Sequence, residues 1–366
     1  MGSEKGGKVC NSLSGNSSKF QKRKEKKSMR RIKKSLVATL ALTMVLNNAT
    51  SMVVLAEEPS ITVPTAKAIH EKANGATVYY VSSKGNDENE GTSEEAAFAT
   101  LDKINSIELK AGDQVLLERG SEFNDQYLHV KGSGTKEAPI IISCYGDESQ
   151  PLPVINTNGK GVWHQDYNLS SLDSSSHVLR GDVSSCILLY DVEYIEISNI
   201  AMTNEGHFEE GEEYNSADRM DRTGVAGVAQ NIGTVDHIVL RNLDISNIQG
   251  NVYNKHMCNG GIYMVCAQPE DPASGIAKYD DVLIEGCNLN NVNRWGIAVG
   301  YTCYWDKFKT AELPDDTVRT YGSTNVVIRN NYLSDLGGDG ITVMYCFRPL
   351  IERNVAREFA RDMNKE

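Results

Sequence analysis

YIEISNIAMTN (Tyr194–Asn204), HIVLRNLDISN (His237–Asn247), DVLIEGCNLNN (Asp281–Asn291) and NVVIRNNYLSD (Asn325–Asp335) are four copies of one pattern. Each alternates apolar and polar residues, places Asn or Gly after the run, then supplies a second apolar pair. Period two is the mark of a strand with one buried face. A further run trails each copy: Gly224-Val225, Gly261-Ile262-Tyr263-Met264-Val265, Gly296-Ile297-Ala298-Val299 and Gly340-Ile341-Thr342-Val343. It reads as another strand after a glycine corner.

The step between copies decides the architecture. Leu240, Ile284 and Ile328 lie 44 residues apart, whereas Ile328 to Ile351 is only 23. Twenty-three residues is the bare turn of a coil. The longer steps carry corner insertions at Glu205–Arg222, Gln249–Asn259, Cys266–Tyr279 and Tyr301–Ser323. Turns of this length, stacked at about 4.8 Å, predict three short parallel sheets around an apolar core. No 3.6-residue pattern separates the strands, which argues against a βαβ sandwich. Ile197, Leu240, Ile284 and Ile328 should point into one core, with almost no helix between about residue 190 and residue 355. Asn199, Asn242 and Asn330 recur at one corner, where Asn tolerates a left-handed turn and its amide can stack along the coil.

The N-terminus reads as an address. Lys22, Arg23, Lys24, Lys26 and Lys27 precede Met29, then Arg30, Arg31, Lys33 and Lys34, then an apolar core Leu36–Leu46 and the small-residue site Val54-Leu55-Ala56. Basic, apolar, small is the secretory pattern, and the apolar core is short for a membrane span. The expected division is a basic leader and signal peptide over 1–56, with Met29 as the better start, and a linker over 57–77. An N-terminal cap and first coils follow over 78–160, and further coils over 161–366. The expected location is extracellular, with no membrane attachment after cleavage.

Residues 1–56 hold 12 Lys+Arg and 2 Asp+Glu, leaving 25 basic and 47 acidic side chains, a net of −22. A chain that acidic repels phosphate backbones, so nucleic acid is not an expected partner. It also repels polyuronates unless Ca²⁺ bridges the two. The seven cysteines beyond Cys10 show no CxxC spacing and read as small buried apolar residues rather than a disulfide or zinc framework.

The start of the expected coil carries a resemblance. Tyr79-Tyr80-Val81-Ser82 leads to Gly85-Asn86-Asp87, Gly91-Thr92 and Phe98-Ala99-Thr100-Leu101. Ala111-Gly112-Asp113-Gln114-Val115, Gly132-Ser133-Gly134-Thr135 and Pro139-Ile140-Ile141-Ile142 follow. This order resembles the opening of secreted bacterial β-helix proteins of the pectate-lyase-like superfamily. It continues through Val192–Thr203 and the Arg294-Trp295-Gly296-Ile297 and Gly337-Gly338-Asp339-Gly340-Ile341 corners. The resemblance implies an all-β, right-handed parallel β-helix, a single-stranded solenoid. Its nearest likeness is to β-helical glycoside hydrolases of plant cell-wall degradation. Proteins of that kind continue with more coils, so truncation at the C-terminus is an expectation.

With a 23-residue turn, Gly296 and Gly340 occupy one place on neighbouring coils, which sets Trp295 beside Asp339 and Arg294 beside Gly338. Lys255 and His256 project from the insertion ending at Gly260. An acid, an aromatic ring and cations on one face are the side chains sugar chemistry uses. A hydrolase also needs a second carboxylate about 5–9 Å away, for which Asp335 and Glu352 are nearest in sequence. The plainer alternatives are a turn role for Asp339 and a core-capping role for Trp295. Asp87 and Asn89, in an acidic loop, are candidate Ca²⁺ ligands or a solvated turn.

Three functions stay open. A glycoside hydrolase on plant-type polysaccharide needs no cofactor and would use Asp339 with Asp335 or Glu352, while Trp295 and His256 hold the glycan. A polysaccharide lyase would use Lys255 or Arg294 as base and Ca²⁺ to bind the uronate. A non-catalytic carbohydrate-binding or surface protein needs neither. The expected partner is a polysaccharide or oligosaccharide, bound by a monomer.

Overall fold

The structure, a computed structural model, describes residues 73, 75–169, 178–206, 220–252 and 254–361. The leader, almost all of the linker and the last five residues lie outside them. No helix among the described residues is long and apolar enough to cross a membrane.

The described chain is all-β and almost entirely parallel. It visits three sheets in a fixed cycle: Ile195–Ser198 in the first, Ala201–Asn204 in the second, Asp221–Ala229 in the third, then Thr234–Arg241 in the first again. The first sheet holds eight strands, from Val78–Val81 to Leu350–Glu352. The second holds seven, from Glu122–Asn124 to Val355–Arg357. The third runs from Leu128–Val130 to Ile341–Val343 and carries one antiparallel addition, Val162–Asp166, on Arg180–Tyr190. Among the described residues between 190 and 355 the one α-helix is Asp315–Tyr321, in a corner insertion.

The register is the predicted one. Ile197 pairs Leu240, Leu240 pairs Ile284, Ile284 pairs Ile328, and all four are fully buried. Alternation sends these side chains inward and their neighbours outward, so each new coil stacks like on like. The corner between first and second sheets turns on Asn199, Asn242 and Asn330, with φ of 57°, 53° and 57°. The Asn242 amide donates to the Asn199 side-chain oxygen at 3.4 Å. Gly286 takes this corner in the next coil at φ 66°, where a Cβ would sit 2.6 Å from the Asn242 oxygen. Five of the seven cysteines are buried and all are free thiols.

Two apolar clusters result. One fills the coil. The other lies on the outward side of the third sheet: Ile297 and Val299 face the coil interior, while Trp295, Ala298 and Tyr301 belong to the outer cluster. The outer face of the first sheet is charged instead. His237 bridges Glu196 at 3.1 Å and Asp281 at 2.7 Å, and Glu285 lies between Arg241 at 3.2 Å and Arg329 at 2.7 Å.

Candidate functional site

The outward face of the third sheet is paved with aromatics. Tyr263 and Tyr301, on neighbouring strands, have ring centroids 5.5 Å apart, and Trp295 meets Tyr301 edge-on at 6.1 Å. His256 stands against Tyr301 at 5.4 Å and Trp305 at 5.5 Å. Residues 251, 252 and 254–258 and the strand Val162–Asp166 with its continuation cover this layer. Tyr167 donates to the His256 carbonyl at 2.7 Å, Gln165 donates to the same oxygen at 2.9 Å, and Cys258 N–H donates back to Gln165 at 2.7 Å. The Tyr263 hydroxyl donates to the Lys255 carbonyl. Among the described residues the indole N–H groups of Trp295 and Trp305 are buried with no acceptor.

The coil brings together the residues that the 23-residue turn predicted. Ile297 pairs Ile341, Gly296 N–H donates to the Asp339 carbonyl at 2.9 Å, and Gly338 N–H donates to the Arg294 carbonyl at 2.7 Å. Trp295 therefore lies beside Asp339. The Asp339 side chain is exposed at the margin of the aromatic layer. Burial pushes the Tyr301 phenol up to about 12, with Arg294 pulling it down and Asp339 pushing it further up.

Other candidates are placed differently from the sequence expectation. Trp295 is 6% exposed with the Arg294 guanidinium 5.2 Å from its ring, so it does not offer a free plate for sugar stacking. Arg294 is 2% exposed and donates to the Val252 carbonyl, which makes it a strut under the covering loop rather than an accessible lyase base. Lys255 is exposed on that loop, and His256 is half-buried within it. Asp335 is the penultimate residue of the second-sheet strand Tyr332–Leu336, with its carboxylate engaged by Arg361. Glu352 lies in the first sheet in register with Arg329, on another side of the coil from Asp339. Asp87 accepts from Ala99 N–H at 2.8 Å and from the Thr100 N–H and hydroxyl at 3.0 and 2.6 Å. Burial opposes ionisation there, yet these hydrogen bonds hold the carboxyl below its usual range. Asn89 donates to the Ala97 carbonyl at 2.9 Å. Both side chains thus close the loop, and no group of three or more His, Cys, Asp or Glu among the described residues is arranged to hold a metal.

One carboxyl escaped the sequence reading. Asp221, first residue of its third-sheet strand, is 4% exposed, and the Asn254 amide donates to both its oxygens at 3.0 and 2.8 Å. Burial without a cation pushes it up to about 7, the Asn254 hydrogen bond offsetting part of the rise. It is a buried acid that keeps its proton near neutrality, beside the aromatic layer. It is not the catalytic mate of Asp339. Their strands are three steps apart in the sheet, about 14 Å at ~4.8 Å per step and beyond the roughly 5–9.5 Å that glycosidic carboxylates span.

No protein-family model matches the chain. It is 42% identical over 332 residues to a lacto-N-biosidase of Bifidobacterium longum subsp. longum, a match covering 80% of this chain and 20% of that protein. The crystal structure of the GH136 lacto-N-biosidase from Eubacterium ramulus superposes with a TM-score of 0.75 at 49% identity, covering 78% of this chain and 46% of that one. Over the matched region the chain is similar to GH136 lacto-N-biosidases. It spans about a fifth of the curated relative and less than half of the crystallised one.

Proposed function

We propose that this chain is the β-helical part of a secreted glycoside hydrolase that releases a lacto-N-biose unit from an oligosaccharide. The observation that carries the reading is the 49% identity, joined to a TM-score of 0.75, with a lacto-N-biosidase structure across 78% of the chain. The coil is read as right-handed because strand–crossover–parallel strand connections are right-handed in about 98% of cases. A lacto-N-biose unit replaces the plant-type polysaccharide expected above, since the relatives' names speak of the former. The third-sheet face is where the sugar is placed in this reading. Long corner insertions and aromatic rings converge there. Asp339, the exposed carboxylate at the margin, is assigned an acid–base or nucleophile role.

An aryl lacto-N-bioside tests this directly. The chain should release the aryl group together with the intact disaccharide, and it should leave the matching aryl galactoside uncut. Asp339→Asn should lower turnover by about a hundredfold or more at an unchanged melting temperature. Release of the aryl group from the galactoside alone, or from neither substrate, sinks the reading. Polygalacturonate with Ca²⁺ should give no ultraviolet-absorbing unsaturated product; its appearance would favour the lyase.

A further inference from the structure

At the corner where the third sheet passes to the first, a cavity of about 330 Å³ is lined by Asp280, Arg319, Thr324, Asn325, Phe347 and Arg348. It lies among the first-sheet residues Asp280, Thr324 and Asn325, the helix Asp315–Tyr321 and the turn before Leu350, and it shares no lining residue with the aromatic layer. Its volume is at the small end of ligand pockets, which run from about 300 to 1,000 Å³. The Arg319 guanidinium lies 3.9 Å over the Phe347 ring, and Arg348 lies 5.0 Å from the same ring. Two cations share one aromatic surface, and their charges are not equally answered. Arg348 is paired with Asp315 at 2.7 Å. Among the described residues, Arg319 has no carboxylate or carbonyl partner for its guanidinium. Its backbone carbonyl is nevertheless held, by the Lys278 ammonium at 2.7 Å. Stacking fixes the plane of the guanidinium, so its in-plane N–H fork is pre-organised for a bidentate acceptor.

Across the cavity the polar groups are of the opposite kind. One oxygen of Asp280 accepts from the Thr324 hydroxyl at 2.6 Å and the Asn325 amide at 2.8 Å, which locks the carboxylate in place. Its second oxygen has no partner among the described residues. The cavity lining therefore offers both a planar cationic fork and a fixed hydroxyl acceptor. We infer that it is a glycan subsite for a sugar unit bearing a carboxylate, with the carboxylate on Arg319 and a ring hydroxyl on Asp280. A neutral hexose would leave the fork without an anion. A bare carboxylate or phosphate would leave Asp280 unanswered and would meet its repulsion. The acidic charge of the chain opposes a long polyuronate more than a single acidic unit, because at physiological salt charges beyond about 8 Å are screened.

The test pairs methyl galacturonoside with methyl galactoside, which differ only in a carboxylate against a hydroxymethyl group. Titration into the full chain, followed by saturation-transfer NMR and calorimetry, should show the uronoside binding at least roughly tenfold tighter, the scale of one charge-assisted contact. Arg319→Gln should abolish that preference. Arg319 is exposed, so the variant should keep the wild-type melting temperature, and it should cut the aryl lacto-N-bioside as the wild type does. Equal binding of both sugars, or a preference that survives Arg319→Gln, overturns the acidic-sugar assignment. Absence of uronoside binding at tens of millimolar overturns the site itself. None of the binding outcomes depends on whether the chain hydrolyses a lacto-N-bioside.

Discussion

The first and third sheets are wound from the same coil, yet their outward faces are built of different material. On the first sheet His237, Glu196, Asp281, Arg241, Glu285 and Arg329 stack into solvent-facing ion pairs. On the third, Tyr263, Trp295 and Tyr301 stack under a roof of residues 163–169, 251, 252 and 254–258. A parallel coil needs only its inner face buried, and the first sheet shows that a charged ladder suffices outside. The cost of burying two unanswered indole N–H groups and the Asp221 carboxyl on the third face is not required by the fold. These groups on the third face are why we propose the sugar site there.

If the third face is a second core, truncating it should cost far more than cutting the ladder. Trp295→Ala should lower stability by about 3–5 kcal/mol, as for a large aromatic removed from a core. Arg241→Ala should cost no more than about 1 kcal/mol, as for a part-exposed ion pair. Denaturant titration of the two variants checks this, and equal losses would erase the distinction. The pH dependence sharpens it. Asp221 holds its proton up to about pH 7 when folded, against an ordinary carboxyl value of 3.8. The folded state therefore binds more protons than the unfolded chain in that window. Stability should fall as pH rises from about 4 through about 7, by up to about 4 kcal/mol in total. Asp221→Asn should flatten this slope and raise the melting temperature at pH 8; a wild-type protein equally stable at pH 5 and pH 8 contradicts it.

The ladder should show a much smaller effect with its own signature. Burial opposes the charge on His237, but hydrogen bonds from the ring to Asp281 and Glu196 outweigh it and raise its affinity for a proton. That contribution is complete below the unfolded value near 6.5 and is lost as pH rises through the higher folded value. His237→Gln should therefore cost less than about 1 kcal/mol at pH 6 and still less at pH 8. Melting curves at the two pH values measure the difference.

Much of the coil was legible because its cause is local and repeated. Period-two alternation placed Ile197, Leu240, Ile284 and Ile328 in one core, and the short Asn-bearing corner recurred often enough to set the register. The 23-residue turn then placed Trp295 beside Asp339. What failed was non-local. Strict alternation in WGIAVGYT would put Trp295 and Tyr301 on the inner side with Ile297 and Val299; only the fold shows the register shift at Gly300, the outward placing of both rings and their cover by residues 252 and 254–258. Asp221 looked like one more acid in the Glu205–Arg222 insertion, since nothing nearby in sequence announces Asn254 or the burial. Glu352 was chosen by proximity in sequence, and a coil carries a residue 13 positions on to a different sheet.

Sugar bound at the proposed third-sheet face should leave a footprint in hydrogen exchange read by mass spectrometry. With saturating lacto-N-biose, amides of residues 254–266, 295–308 and 339–345 should gain protection, while the first-sheet strands Thr234–Arg241 and Lys278–Glu285 should exchange as they do without sugar. Protection confined to the first or second sheet, with the third unchanged, would contradict the account.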